Sequence, residues 1–121
     1  MVLRSVSSTT LEQVAEVLGD SPRWFQLYWP NDPALAASLV GRAERAGYAA
    51  VVVTLDAYFY GWREPDLGQA WVPFAHGQGI ANYVADPRAT LPAPPEDDLV
   101  AAARHFLAVV SNPALTCDDL A

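Results

Sequence analysis

The chain has 121 residues, of which 52% are hydrophobic, and its formal net charge is −7. This length suits one compact domain with a core of its own, and the apolar content excludes a largely disordered chain. The negative charge argues against nucleic acid or an anionic membrane surface as the partner, since both bind clusters of Lys and Arg.

The cysteine content and the N-terminal segment exclude further classes of protein. Cys117 is the single cysteine, which excludes an internal disulfide, and we expect it to be a small core residue. No His, Asp and Glu cluster has metal-ligand spacing. Residues 1–10 show no secretory signal, and no apolar run approaches the ~18 residues that span a bilayer. The sequence therefore predicts one cytoplasmic domain over residues 1–121 with no metal site.

The first predicted elements are a short strand and a helix. Residues 2–3 form the end of a strand. Thr9 then begins a helix, because Thr9 and Glu12 have the spacing of a capping box. Its apolar stripe has the i, i+3, i+4, i+7 spacing of one helix face, and Gly19 ends it. The residues of the stripe are Leu11, Val14, Ala15 and Leu18.

A strand, a helix and a second strand follow. Residues 24–28 are rich in aromatics and form a strand that stops at Pro30. Asp32 caps the next helix, which ends at Gly47 and buries Leu35, Leu39, Ala43 and Ala46. Residues 49–55 are nearly all apolar and β-branched, as in a strand buried on both faces. A strand, helix, strand order of this kind predicts a parallel sheet in an α/β fold.

The second half of the chain has a different character. Residues 57–96 are rich in Pro, Gly and aromatics without a period, and we interpret them as a loop insertion within the domain. A last helix begins at Asp97 and ends at the pair Asn112-Pro113. Its inward residues are Leu99, Ala103, Phe106 and Val110.

Polar side chains stand at the carboxyl ends of the two better-defined strands. Gln26 and Tyr28 are two residues apart, so they share one face of their strand, and Thr54 and Asp56 repeat this arrangement. Sites in parallel α/β folds lie at the carboxyl ends of strands. The sequence therefore predicts a functional site at this rim.

Each candidate also has a purely structural explanation. Asp56 is either a turn or cap residue or the orienter of a catalytic base. Gln26 and Tyr28 are either a polar pair that neighbours satisfy or ligand contacts. Arg63, in the loop after Asp56, is either solvated or a clamp for a carboxylate, which a guanidinium can bind through two parallel hydrogen bonds.

Four segments carry a specific resemblance: WFQLY at 24–28, RAERAGY at 42–48, VVTLD at 52–56 and GWREPDL at 61–67. Together they resemble the FMN-dependent α-hydroxy-acid oxidases and dehydrogenases. The segments around 73–81 and 111–116 are most similar to lactate 2-monooxygenase. The resemblance runs in order through almost the whole chain.

The resemblance implies a fold and a reaction. The fold is a partial (β/α)8 barrel of about three βα units, with FMN at the carboxyl-end rim. The reaction is oxidation of a small, lactate-like L-2-hydroxy acid to the 2-oxo acid or its decarboxylated product. FMN carries the redox chemistry while the protein supplies position and charge.

The resemblance also assigns a role to each candidate residue. Gln26 and Thr54 match the family's flavin contacts. Tyr28 matches the tyrosine that hydrogen-bonds the substrate oxygen. Asp56 matches the carboxylate that holds the catalytic histidine in its protonation state. Arg63 matches an arginine that binds the substrate carboxylate.

The sequence departs from the family pattern at several points, of which two bear most directly on the site. The Ser-Gly-His-Gly-Gly-Arg type of segment, which carries the catalytic histidine, is absent, and Arg4 stands where a small hydroxyl residue is usual near the flavin. A complete barrel typically needs ≈ 250 residues. We therefore expect the isolated chain to be inactive unless another fragment complements the barrel. The alternative is a noncatalytic remnant or interaction module that self-associates through its sheet edges.

Overall fold

The computed structural model of the chain describes residues 1–56, 73–88 and 98–120. Short strands and helices alternate in its first half. In chain order the elements are β1 (Val2–Arg4), α1 (Leu11–Leu18), β2 (Trp24–Tyr28), α2 (Pro33–Arg45), β3 (Ala50–Thr54), a 3-10 turn (Pro73–His76), α3 (Ala81–Val84), α4 (Leu99–Val110) and a second 3-10 turn (Cys117–Leu120). The described part of the predicted loop insertion thus contains a short helix.

The strands form one parallel sheet in the order β1-β2-β3. Register pairs Arg4 with Gln26 and Tyr28 with Thr54. Helices α1 and α2 lie between the strands in the chain, as parallel pairing requires, since a tight turn cannot join parallel neighbours. The predicted parallel α/β arrangement is confirmed for this part of the chain.

The two faces of the sheet differ in burial. Leu3, Phe25 and Leu27 point to one face and are buried in a core to which α1 and α2 contribute. Trp24 and Val52 point to the opposite face and are 50% and 38% exposed. We call this opposite face, with Val2, Arg4, Trp24, Gln26, Tyr28, Val52 and Thr54, the open face.

The prediction that the last strand is buried on both faces is wrong for the described structure. Val51 and Val52, which point to opposite faces of β3, are 39% and 38% exposed. β3 is the outer strand of the sheet, and among the described elements only β2 pairs with it. The apolar composition of a strand indicates that its side chains can be buried. Whether they are buried depends on the presence of elements that pack over them.

Helix α1 begins one residue later than predicted. Thr10 is the N-cap: its Oγ1 accepts from the Gln13 amide at 3.3 Å, and the Thr10 amide donates to Gln13 Oε1 at 3.1 Å. Thr9 with Glu12 has the same spacing, but the Glu12 carboxylate is bound to Arg42 instead. Gly19 ends the helix as predicted, at a φ of +54° that suits glycine.

The predicted N-cap of α2 is confirmed, and the N-cap of α4 is one residue after the predicted start. Asp32 caps α2 by accepting from the amides of Ala34 and Leu35, with Pro33 in the first turn. Helix α4 takes Asp98 as its cap, whose Oδ1 accepts from the Ala101 amide at 2.8 Å. The predicted start, Asp97, lies outside the described residues.

Cys117 is exposed, not buried as predicted, because it opens the second 3-10 turn at the surface. Phe106, by contrast, is buried as predicted and packs against the rings of Phe74 and Tyr83, at centroid distances of 4.7 and 4.8 Å. None of the helices in the described segments is long and apolar enough to cross a membrane.

A buried arginine joins three helices. Arg42 on α2 binds the Glu12 carboxylate of α1 through two bonds of 2.7 and 2.9 Å, and Asp86 beyond α3 through one of 3.0 Å. It also donates to the Asn82 carbonyl at 2.7 Å. The Ser38 hydroxyl and the Arg88 amide also donate to Asp86. The charges are therefore paired and hydrogen-bonded, as buried charges must be.

Asn82 of α3 connects this network to the sheet. Its side chain is fully buried, with Oδ1 accepting from the Leu11 amide at 2.8 Å and Nδ2 donating to the Ser5 carbonyl at 3.0 Å. The Leu11 amide is one of the helix-end donors that lack an intrahelical partner. Asn82 thereby fixes the start of α1 and the end of β1 together.

We predict that Thr10→Ala lowers the free energy of unfolding by about 1 kcal/mol, because it removes the cap that satisfies the Gln13 amide. Urea denaturation followed by circular dichroism measures this. Thr9→Ala is the matched control and should change the free energy by less than about 0.5 kcal/mol, since the Thr9 side chain makes no hydrogen bond within the described segments. Equal losses in both variants would contradict the assigned cap.

We also predict an acid-dependent contribution from Glu12. Hydrogen bonding to Arg42 holds the pKa of Glu12 below its ordinary value of 4.5. The ionised carboxylate therefore stabilises the fold above pH 4.5, and this stabilisation is lost as the pH falls through the lowered pKa. The difference in unfolding free energy between wild type and Glu12→Gln should be present at pH 7 and shrink toward pH ~3.

The size of that difference should stay below about 1 kcal/mol, because the Glu12 side chain is half exposed. Glu16→Gln is the control, since Glu16 lies on the same helix without an ion pair to any described residue. A wild-type to Glu12→Gln difference that stays constant from pH 7 to pH ~3 would refute the linkage to Arg42.

Candidate functional site

Gln26, Tyr28 and Thr54 lie together at the carboxyl ends of β2 and β3. Tyr28 and Thr54 are partners in register, and Gln26 lies two residues before Tyr28 on the same face. Gln26 Nε2 donates a hydrogen bond to Thr54 Oγ1 across the two strands. The sequence-predicted convergence of these side chains on one rim is therefore present in the structure.

Gln26 carries an unsatisfied acceptor. Its side chain is 9% exposed, and its Oε1 is buried without a hydrogen-bond partner in the described structure. Rotating the amide by 180° only exchanges which polar end lacks a partner. A buried carbonyl oxygen without a donor costs about 1–3 kcal/mol. An unsatisfied buried group of this kind calls for a structural or functional explanation.

Tyr28 is held through its backbone. Its amide donates at 3.1 Å to the hydroxyl of Ser5, a fully buried residue that directly follows β1. The Tyr83 hydroxyl of α3 donates to the same oxygen at 3.3 Å. Burial raises the pKa of Tyr83 to about 12, so this hydroxyl stays protonated near neutral pH. The position of Tyr28 thus depends on contacts from β1 and α3.

Asp56 is not part of this hydrogen-bonded group. Asp56 is exposed in a bend two residues beyond Thr54, and its carboxylate makes no hydrogen bond or ion pair with a described residue. Arg63 lies outside the described residues. The roles predicted for these two residues stay predictions.

Sequence reasoning missed Ser5 and Tyr83. Ser5 follows a strand end, as the predicted candidates do, so the same rule applied to β1 finds it. Tyr83 had no comparable signal, because its partner lies 78 residues away in the chain. Within residues 1–56, 73–88 and 98–120, no group of His, Cys, Asp and Glu is arranged to hold a metal ion.

The model of the FMN-dependent dehydrogenase family matches residues 1–121. The chain belongs to this family. An L-lactate oxidase from Lysinibacillus sphaericus (strain C3-41) is 37% identical over 96% of this chain and 30% of its own length. An L-lactate oxidase from Nostoc sp. is 41% identical over 99% of this chain and 33% of its own length.

A third relative is the FMN-dependent alpha-hydroxy acid dehydrogenase qulF of Penicillium citrinum, which is 41% identical over 70% of this chain. The chain spans about a third or less of the length of these curated relatives. The family resemblance is confirmed, while the particular likeness to lactate 2-monooxygenase stays a prediction.

FMN is the cofactor of this family, and the rim residues fit its ring system. The pyrimidine ring of a flavin has an N–H donor between two carbonyl acceptors. Gln26 Oε1 lacks a donor, and the neighbouring Thr54 hydroxyl can both donate and accept. Gln26 Oε1 is buried in this structure, so a flavin N–H would reach it only after the amide turns toward the rim.

We predict opposite stability effects for two substitutions in this pair. Thr54→Val leaves both polar ends of the Gln26 amide without a partner, so it should lower the free energy of unfolding by about 1–2 kcal/mol. Gln26→Leu removes the unsatisfied oxygen, so stability should be unchanged within about 0.5 kcal/mol or increase. Urea denaturation of both variants tests this. A loss above about 1 kcal/mol in Gln26→Leu would mean that the amide is satisfied.

Proposed function

We propose that this chain forms the FMN-binding sector of a (β/α)8 barrel whose complete protein oxidises a small L-2-hydroxy acid. The observation that carries the proposal is the pairing of Gln26 with Thr54 at the carboxyl ends of parallel strands, where Gln26 Oε1 has no partner within the described residues. Membership of the FMN-dependent dehydrogenase family supports the cofactor. The names of the L-lactate oxidase relatives favour lactate as the substrate.

The two faces of the sheet support the barrel. In a (β/α)8 barrel, helices cover the outside of the strands while the inner side chains pack across the barrel. Here α1 and α2 cover one face, and the open face presents Trp24 and Val52 half exposed beside the polar rim. We infer that the open face is the barrel interior and that residues 1–121 supply about three of its βα units, with 57–96 as an insertion.

The proposed roles follow the chemistry of the side chains. Gln26 and Thr54 would hold the flavin ring, which accepts the two electrons of the oxidation. The Tyr28 hydroxyl would hydrogen-bond the substrate oxygen, held in place through its backbone bond to Ser5. Because this bond fixes the backbone of Tyr28, its hydroxyl would orient the substrate better than the hydroxyl of a mobile tyrosine could.

Asp56 and Arg63 complete the proposed site. Asp56 is an exposed carboxylate beyond β3 and would orient the histidine that removes the substrate proton. Arg63 would bind the substrate carboxylate through its guanidinium. The 121 residues carry no segment of the kind expected to supply that histidine, so we propose that turnover requires a complementing barrel segment.

A second proposal is a noncatalytic module that self-associates. The exposure of Val51 and Val52 on β3 favours it, because an outer strand with apolar side chains can pair with a strand of another chain. The two proposals differ in their dependence on flavin. A self-associating module would assemble equally with and without FMN.

We predict that the chain purified with FMN binds the flavin in a one-to-one ratio, seen as visible absorbance after gel filtration and as a change in flavin fluorescence. Gln26→Leu should weaken binding about tenfold, the effect of losing one ligand hydrogen bond of about 1.4 kcal/mol. Gln78→Leu is the matched control, because Gln78 is an exposed glutamine in a turn and its side chain makes no hydrogen bond with a described residue.

A colourless protein whose titration leaves the fluorescence unchanged would refute the FMN proposal. Sedimentation of the same sample would then test the second proposal, which requires a dimer or larger assembly that is insensitive to FMN. A tenfold loss in both Gln26→Leu and Gln78→Leu would show that binding does not involve the rim.

A further inference from the structure

The C-terminal end of α4 is capped from a distant part of the chain. The last four carbonyls of a helix have no amide partner within it, and a left-handed residue after the helix, usually glycine, often brings amides back to them. Here Ser111 follows in an extended conformation, with φ −83° and ψ 109°, and its amide bonds to the Leu107 carbonyl at 3.3 Å. The next two carbonyls, of Ala108 and Val109, take their donors from elsewhere.

Asn31 supplies both of these donors, from the loop that joins β2 to α2. Its amide donates to the Val109 carbonyl at 2.9 Å, and its side-chain Nδ2 donates to the Ala108 carbonyl at 2.8 Å. Asn112, two residues beyond α4, donates in the opposite direction, from Nδ2 to the Pro30 carbonyl at 3.3 Å. We call Asn31 and Asn112 the asparagine clasp, because each donates to the segment that carries the other.

The clasp holds the segment that directly follows the rim. Pro30 is fully buried and lies two residues beyond Tyr28, the last residue of β2. Because the proline ring fixes its own φ, the connection from Tyr28 to Asn31 is short and has little freedom. A shift of Asn31 would therefore displace the carboxyl end of β2.

A second connection joins α4 to Tyr28 through the sheet. Phe106 on α4 packs against the Tyr83 ring edge to face, at a centroid distance of 4.8 Å. The Tyr83 hydroxyl donates to Ser5 Oγ, which also accepts from the Tyr28 amide. Helix α4 therefore contacts the support of Tyr28 from the loop side and from the sheet side.

We propose that α4 positions Tyr28 and that the two asparagines of the clasp are positioning residues for it. They act by fixing the backbone that carries Tyr28. The importance of this position rests on the proposed function, in which the Tyr28 hydroxyl bonds the substrate oxygen, since a misplacement of about 1 Å at a reacting site can cost about 100-fold in rate. The geometry of the rim thus depends on a helix whose contact residue, Ala108, lies 77 residues from Asn31.

Amide hydrogen exchange followed by NMR tests whether the clasp holds the end of β2. Asn31→Ala and Asn112→Ala should each raise the exchange rate of the Tyr28 amide about fivefold, the effect of one lost hydrogen bond on local opening. The Val14 amide of α1 should keep its rate. Ser111→Ala is the matched control and should match wild type, because the Ser111 side chain lies beside Asn112 but makes no hydrogen bond with a described residue.

A further substitution separates hydrogen bonding from packing. Asn31→Asp keeps the size of the side chain, removes its donor and places a negative charge beside the C-terminal end of α4, where negative charge is unfavourable. The Tyr28 amide should therefore exchange at least as fast as in Asn31→Ala. A wild-type rate in Asn31→Asp, or an equal acceleration of the Val14 and Tyr28 amides in the clasp variants, would overturn the proposal.

The role of the clasp in the site is tested on the chain loaded with FMN. L-lactate is titrated, and the visible spectrum of the flavin reports its Kd. Asn31→Ala should weaken L-lactate about fivefold while the FMN affinity stays within about twofold, because the Gln26–Thr54 bond does not involve the loop that the clasp holds. In a Tyr28→Phe background, Asn31→Ala should cause no further loss, since the contact that the clasp positions is already gone. The same fivefold loss in that background would show that the clasp does not act through Tyr28.

The exchange rates and the titration separate failure of this inference from failure of the proposed function. If wild type binds neither FMN nor L-lactate, the proposed function is wrong, and the Tyr28 amide alone decides whether the clasp positions the end of β2. If wild type binds FMN but not L-lactate, the substrate role of Tyr28 is wrong, and the functional consequence of the clasp is wrong with it. If wild type binds both and the clasp variants match it in exchange rate and Kd, only the inference about the clasp is wrong.

Discussion

The buried guanidinium of Arg42 is the constraint on which the rest of the structure depends. Removing a charge from water costs several kcal/mol, and only well-placed partners offset that cost. Here the partners are the carboxylates of Glu12 and Asp86 and a backbone carbonyl. They come from α1 and from the segment around α3, far apart in the chain. A shift of any of these elements would leave a buried charge without a partner, so the network specifies their mutual arrangement.

That arrangement reaches the candidate site through Asn82 and Ser5. Asn82 lies on α3 and bonds to the amide that opens α1 and to the Ser5 carbonyl. The Ser5 hydroxyl then accepts from the Tyr28 amide and from Tyr83. A continuous set of hydrogen bonds therefore connects the helices on one face of the sheet with the carboxyl end of β2. Tyr28 at the rim is therefore held by a hydrogen-bonded network, the kind of support that a binding site requires.

The open face combines an exposed aromatic side chain with polar groups that lack partners in the described structure. Trp24 is half exposed, and within the described residues Gln26 Oε1 has no hydrogen-bond partner and the Arg4 guanidinium makes no hydrogen bond or ion pair. Local violations of this kind are expected at functional surfaces, where stability is lower than it could be. The apolar exposure fits the proposed barrel interior, which other strands would cover.

The sequence alone determined the features that depend on near neighbours in the chain. The Asp32 cap, the stop at Gly19 and strand β2 follow from side chains within a few residues, so composition and spacing predict them. The choice between Thr9 and Thr10 could not be made locally, because Arg42, 30 residues beyond Glu12, binds that carboxylate. The exposure of β3 and Cys117, the Ser5 and Tyr83 contacts and the Gln26–Thr54 bond were decided by tertiary structure. Each of these features depends on which distant elements pack together, and the spacing of neighbouring residues does not indicate that.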